Sequence, residues 1–273
     1  MMQSNSDQAK QLQEQDKRIE SNLARIRYRL VVFSGKGGVG KTTVAVNLSF
    51  ALQKTGNKVG LLDADITGPN VPKMAGVTGQ PFVDGQNMML PMVRDGVQII
   101  SMAAMIPEAQ PIIWRGPLRS GAITQFIGDV IWDDLDYLIA DLPPGTGDEV
   151  LTAAQRMRPQ MAVVVTTPQE MSLMDCRRAV TMAKKLNIPK IGIIENMAGL
   201  ICPHCGESID VFDSGGGSKL AQEMDVTFLG SIPLELKTRK DGDDGKPPVL
   251  EDPDSATAGA FMSISENIVN GLK

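Results

Sequence analysis

The stretch VVFSGKGGVGKTTVAVNL, residues 31–48, sets glycines, lysines and threonines at a spacing that can hold phosphate. Gly35, four further residues, then Gly40, Lys41 and Thr42 satisfy G-x-x-x-x-G-K-[ST], after an apolar β-prone run and before an amphipathic helical pattern. Gly35, Gly37, Gly38 and Gly40 let the backbone curl, so that N–H groups from Lys36 through Val39 to Thr43 converge on phosphate oxygens at a helix N-terminus. Lys41 is expected to reach the β- and γ-phosphates and the Thr42 hydroxyl to bind Mg²⁺. Three carboxylates complete this chemistry: Asp63 and Asp65 in LLDADITGPN, and Asp141 in YLIADLPPGTGDE. At the carboxyl ends of parallel strands they stand beside a phosphate crevice. Asp65 is assigned to orienting the hydrolytic water, and Asp63 and Asp141 to the Mg²⁺ shell; helix or turn capping would use the same residues. Gly145 and Gly147 give the loop after Asp141 freedom to move, while Pro143 and Pro144 keep it stiff.

For a nucleotide base, Asn196 in IIENMAG follows one strand, and Pro233 and Glu235 in GSIPLE follow the next. An amide can both donate to and accept from an adenine edge; a turn-forming Asn is the alternative.

The second chemical feature is ICPHCGES, residues 201–208. Cys202 and Cys205 have the two-residue spacing that lets two sulfurs converge on one metal. A tetrahedral metal or an iron–sulfur centre needs four ligands, and this segment offers two thiolates and His204. A redox pair or a zinc knuckle using His204 would also fit. Cys176 lies with Leu173, Val180 and Ala183 on a helical apolar stripe and reads as a core residue.

These groups must be positioned by alternating elements. Apolar runs at 30–33, 59–62, 137–140, 162–165, 191–194 and 228–232 alternate with helical patterns. This predicts an α/β fold, a doubly wound and mostly parallel sheet with helices on both faces. Residues 1–29 read as a polar helical arm with Ile19, Leu23, Ile26 and Leu30 at helical spacing, and 30–273 as the domain proper. Residues 77–111 look like an excursion carrying short strands, and 241–255 like a loop before a last helix. With 273 residues and net charge −5 the bulk surface does not favour polyanions. No apolar run approaches the roughly 20 residues of a bilayer span. Nucleic acid and membrane are therefore not expected partners, and a cytoplasmic setting fits three cysteines that cannot all pair.

Lys36, a second lysine one place after the loop's first glycine, marks a resemblance to the deviant P-loop NTPases, which include MinD, ParA and the nitrogenase iron protein. The resemblance implies a homodimer closing over two ATP molecules, with Lys36 reaching the partner's nucleotide. It also implies that the Asp63–Asp65 and Asp141–Gly147 segments are switch regions and that Asn196 contacts the base. Two chains then supply four thiolates across a two-fold axis, enough for a [4Fe-4S] cluster or one Zn²⁺. Taken together, GKGGVGKTT, DADITGPNVPKM, WRGPLRSGAITQF, DYLIADLPPGTGDE, ENMAGLICPHCG and the GGG stretch before GSIPLE resemble the Mrp/ApbC (Nbp-type) P-loop ATPases over residues 28–270. That family implies slow ATP hydrolysis, a bridging [4Fe-4S] cluster on Cys202 and Cys205, and cluster transfer among assembly factors and apo-protein clients. Residues 1–29 contain no cysteine, so no second cluster is expected there. The alternative is a MinD/ParA-like positioning switch whose cysteines hold structural zinc; the nearly uncharged C-terminal SATAGAFMSISENIVNGLK does not supply the basic tail such a switch would use.

Overall fold

A computed structural model of the chain describes all residues except 1, 67, 86–87, 103–115, 203–204, 206 and 210–213. Helix α1 (Met2–Ala24) leads into strand β1 (Ile26–Phe33), then α2 (Lys41–Lys54), β2 (Val59–Asp63) and the single turn α3 (Val71–Met74). Short strands β3 (Phe82–Val83), β4 (Met89–Leu90) and β5 (Met92–Arg94) precede β6 (Val97–Ser101) and α4 (Gly116–Asp129). Next come β7 (Leu135–Asp141), α5 (Asp148–Met157), β8 (Met161–Thr166), α6 (Glu170–Lys185), the long β9 (Lys190–Ile201) and β10 (Ser208–Ile209). Helix α7 (Gly216–Glu223), β11 (Thr227–Leu234), α8 (Leu236–Asp243), α9 (Pro248–Glu251) and α10 (Ala256–Leu272) complete the chain.

The main sheet runs β10-β9-β8-β1-β7-β2-β6-β5, with β11 also paired to β9. Its central pairs are parallel, and β5 and β10 are antiparallel to their neighbours. Strands buried on both faces must be apolar at consecutive positions, and β2 and β8 are buried along their whole lengths. One face is covered by α1, α4, α5, α6 and α7 through residues such as Ile19, Phe126, Met157, Cys176 and Leu220. The other is covered by α2, α3, α9 and α10 through Phe50, Val71, Val249 and Phe261. The fold is therefore the doubly wound α/β sheet read from the sequence.

Several expected boundaries shift. The arm ends at Ala24, and Ile26 and Leu30 lie on β1 instead of continuing its apolar stripe. Pairing decides this: Ile26 is in register with Leu135 and Leu30 with both Ile139 and Met161. Ile19 and Leu23 remain the buried face of the helix. Asn22 donates to the carbonyls of Gly128 and Val130, both at 2.8 Å, which ties α1 to the end of α4. Within the 77–111 excursion, Val97–Ser101 is a strand of the main sheet, paired with β2. The turn before it places Asp95 at φ 44° and Gly96 at φ 80°, the left-handed pair that a two-residue hairpin requires. The expected loop 241–255 contains the end of α8 and all of α9. Among the described residues, no helix is long and apolar enough to cross a membrane.

Candidate functional site: a phosphate loop and a cysteine hairpin on one sheet edge

The carboxyl ends of β1, β2, β7 and β9 converge on a single edge of the sheet. From β1 the chain passes through Ser34 into the glycine loop, where Gly38 and Gly40 adopt φ 80° and 82°. Gly40 is the N-cap of α2, and no side chain caps that end, so the first-turn amides of Lys41, Thr42 and Thr43 are left for a ligand. Gly35 is required by close approach: a Cβ there would lie 2.2 Å from the backbone oxygen of Asp175 on α6.

Lys41 is buried, and its Nζ lies 2.7 Å from Asp141 Oδ1 and 3.7 Å from Asp65 Oδ2. Thr42 Oγ1 donates to the other oxygen of Asp141 at 2.7 Å. Asp63 sits opposite Asp141 in the β2–β7 register; it accepts from Ser101 Oγ at 2.8 Å and from the N–H of Asp65 at 3.2 Å. The sequence-assigned residues Lys41, Thr42, Asp63, Asp65 and Asp141 are thus one cluster. Burial, and then the neighbouring Asp141, push the Asp63 carboxyl up to about 8. Burial also raises Asp141, against the opposing pull of Lys41. Three carboxylates and a hydroxyl around one ammonium form an all-oxygen, acidic donor set that fits Mg²⁺.

Since Asp63 holds its proton to about 8 in the folded chain but to roughly 3.9 when unfolded, the native state binds the extra proton between these values. Stability of the nucleotide-free protein in chelator is therefore expected to fall as pH rises from about 4 to 8. Asp63→Asn should flatten that window; urea denaturation across pH checks it, and an unchanged slope would count against the buried neutral carboxyl.

The remaining phosphate-loop residues differ in setting. Lys36 is half-buried and makes no ion pair among the described residues. Gly145, at φ 95°, donates its N–H to Ser34 O at 2.8 Å, joining the loop after Asp141 to the end of β1. Asn196 is engaged with the phosphate loop itself, its Nδ2 donating to Val39 O at 2.9 Å. Asn196 and Pro233 nevertheless share the wall of a cavity of about 450 Å³ with Thr43, Lys73, Ile232 and Phe261. This cavity opens beside the first turn of α2 and suits a flat, largely apolar base.

Cys202 and Cys205 lie on the hairpin formed where Leu200–Ile201 of β9 pairs with Ser208–Ile209 of β10. Cys202 is half-buried and donates its N–H to Glu207 O at 2.9 Å, while Cys205 is exposed with Sγ 3.9 Å from Glu207 Oε2. Among the described residues no group of three metal-ligating side chains forms. His204 lies outside the described residues, as does Trp114 of the WRGP stretch. Cys176 is buried in the core, where burial pushes its thiol up to about 12.

Sequence reasoning missed Ser101, which holds Asp63, and Asp175, which walls Gly35. It also left unassigned Glu195, fully buried on β9. The signal for Glu195 was present: a carboxylate within the apolar run IGIIENM cannot be buried without donors.

The chain is 51% identical over 269 residues to the iron–sulfur cluster carrier protein of Pyrococcus horikoshii, covering 94% of this chain and 91% of that one. A solved nucleotide-binding protein from Archaeoglobus fulgidus, in complex with ADP, superposes with a TM-score of 0.76 at 38% identity, covering 88% of this chain and 94% of the other. The septum site-determining protein MinD of Pyrococcus horikoshii, complexed with Mg-ADP, aligns with a TM-score of 0.65 at 26% identity over 89% of this chain and 96% of that one. Residues 25–269 match the ParA model described as the NUBPL iron-transfer P-loop NTPase, and the chain belongs to that family.

Proposed function

We propose that this protein is an ATP-hydrolysing iron–sulfur cluster carrier of the cytoplasm, acting as a homodimer that holds a [4Fe-4S] cluster on Cys202 and Cys205 of both subunits. The observation that carries this reading is the cysteine hairpin on the same sheet edge as the phosphate loop, presenting two thiols where a cluster needs four ligands. Two-fold pairing completes the set, and the name of the Pyrococcus relative supports the cargo.

In the mechanism, the amides of residues 36–43 and the Lys41 ammonium bind the triphosphate, and Asn196 and Pro233 border the base. Phosphate competes with Asp141 for Lys41, so binding loosens the ion pair that joins α2 to β7. Mg²⁺, which Thr42, Asp63 and Asp141 would hold, neutralises phosphate charge when bound. Asp65 orients the water that attacks the γ-phosphorus, forming one O–P bond as the bond to the β–γ bridging oxygen breaks. Lys36 of the partner subunit offsets charge on the transferring group. Departure of phosphate releases the Asp65 and Gly145 segments, and the altered subunit interface lets the cluster pass to the thiolates of an apo-protein.

The assay is recovery of activity in an apo iron–sulfur enzyme mixed with the loaded protein. Recovery is expected and should depend on MgATP; no recovery, with the cluster retained by the carrier, would contradict the transfer role. A positioning switch is less well supported, because α10 places Phe261, Ile264 and Ile268 in the core and offers no free apolar face to a membrane.

A further inference from the structure

The carboxylate of Glu195 is fully buried, yet neither the phosphate chemistry nor the cysteines use it. It accepts the backbone N–H of Gly215 at 3.0 Å and that of Gly217, and Ser231 Oγ lies 3.4 Å away. The donors come from the GGG run that ends the segment begun by the cysteine hairpin, and from the GSIP stretch on β11. The glycines are there for contact: a Cβ on Gly217 would meet Glu195 Cβ at 3.0 Å, and one on Gly216 would meet Leu173 at 2.7 Å. Gly215, at φ 83°, is the left-handed N-cap of α7, so the carboxylate also faces the positive end of that helix.

The next residue along β9 points the other way, as successive strand residues do. There Asn196 Nδ2 grips Val39 O of the phosphate loop at 2.9 Å. One dipeptide therefore holds the exit of the cysteine segment on one face of the sheet and the phosphate loop on the other. A hydrogen-bonded carboxylate at full burial is a stiff link, because leaving its donors unpaired carries a large desolvation penalty.

We infer that Glu195 is a positioning residue for the cysteine hairpin, the joint through which nucleotide in the phosphate loop alters how Cys202 and Cys205 are presented. This rests on the carrier reading above. The experiment compares alkylation of Cys202 and Cys205 by N-ethylmaleimide in the cluster-free full chain, with and without MgATP, read by mass spectrometry. Cys176, buried in the core, serves as the internal unreactive site. In the wild type the two rates are expected to differ about fivefold or more, the lower range of site-to-site coupling. In Glu195→Gln, one carboxylate oxygen becomes an NH₂ that cannot accept, the ratio collapses towards one, and the nucleotide-free rate rises about tenfold, the factor for one lost bond to a charged group. Binding of a fluorescent ATP analogue should stay close to wild type, which a general loss of structure would not allow. Gly217→Ala, which crowds the same carboxylate without removing its charge, should reduce the ratio too and stands in if E195Q does not fold. A wild-type ratio persisting in the variants overturns the inference and leaves the carrier reading standing. Wild-type cysteines indifferent to bound MgATP overturn it as well, and loss of MgATP binding by the wild type would overturn the carrier reading itself.

Discussion

Lys41→Ala is expected to reduce ATP hydrolysis by about 10³-fold or more, the scale of losing a preorganised charged donor at the transferring phosphate. The same change has a second, structural consequence. Lys41 Nζ is 2.7 Å from the buried carboxylate of Asp141, and removing one member of a buried pair typically costs about 3–5 kcal/mol. Here protonation of Asp141 softens the loss, because burial already raises that carboxyl. Thr42→Ala separates the two effects. It removes the hydroxyl that donates to Asp141 and the proposed Mg²⁺ ligand while keeping Lys41, so activity should fall with a smaller loss of stability. Phosphate release and urea denaturation on both variants check this; near-normal turnover in either would remove the phosphate-site assignment.

Cys202→Ala or Cys205→Ala should abolish the cluster of the reconstituted protein. In a two-fold assembly each substitution deletes two of four sulfur ligands, and a half-ligated cluster is open to solvent and loss. Stability should change little, within about 0.5 kcal/mol for Cys205, because its side chain is exposed. ATP hydrolysis should persist, since neither sulfur enters the phosphate cluster. Iron analysis and the visible spectrum after anaerobic reconstitution decide the point, and a variant that retains wild-type iron would exclude this pair as the ligands.

The parts of the fold carried by local pattern were legible. Consecutive apolar residues marked β2, β7 and β8, and the G-x-x-x-x-G-K-T spacing placed the phosphate loop between β1 and α2, because that chemistry is contiguous in the chain. What depended on distant pairing was not. Leu30 continues a helical spacing from Ile19, yet its pairing with Ile139 and Met161 puts it in a strand. The 77–111 excursion was legible as carrying short strands, but the place of Val97–Ser101 beside β2 in the main sheet depends on pairing. The bonds from Lys41 to Asp141 and from Asn196 to Val39 join residues far apart in sequence. Their roles were inferable, but their present partners were not. The cysteine arithmetic belongs to a different limit, for the ligands that a second copy would contribute under the proposed function leave no mark within a single chain beyond the shortfall itself.

Iron, acid-labile sulfide and zinc, measured together with the molar mass of the anaerobically purified protein, decide whether two chains share one cluster. A dimer with about four iron and about four sulfide per two chains, and no zinc, is expected. A monomer carrying one zinc and no sulfide would contradict it.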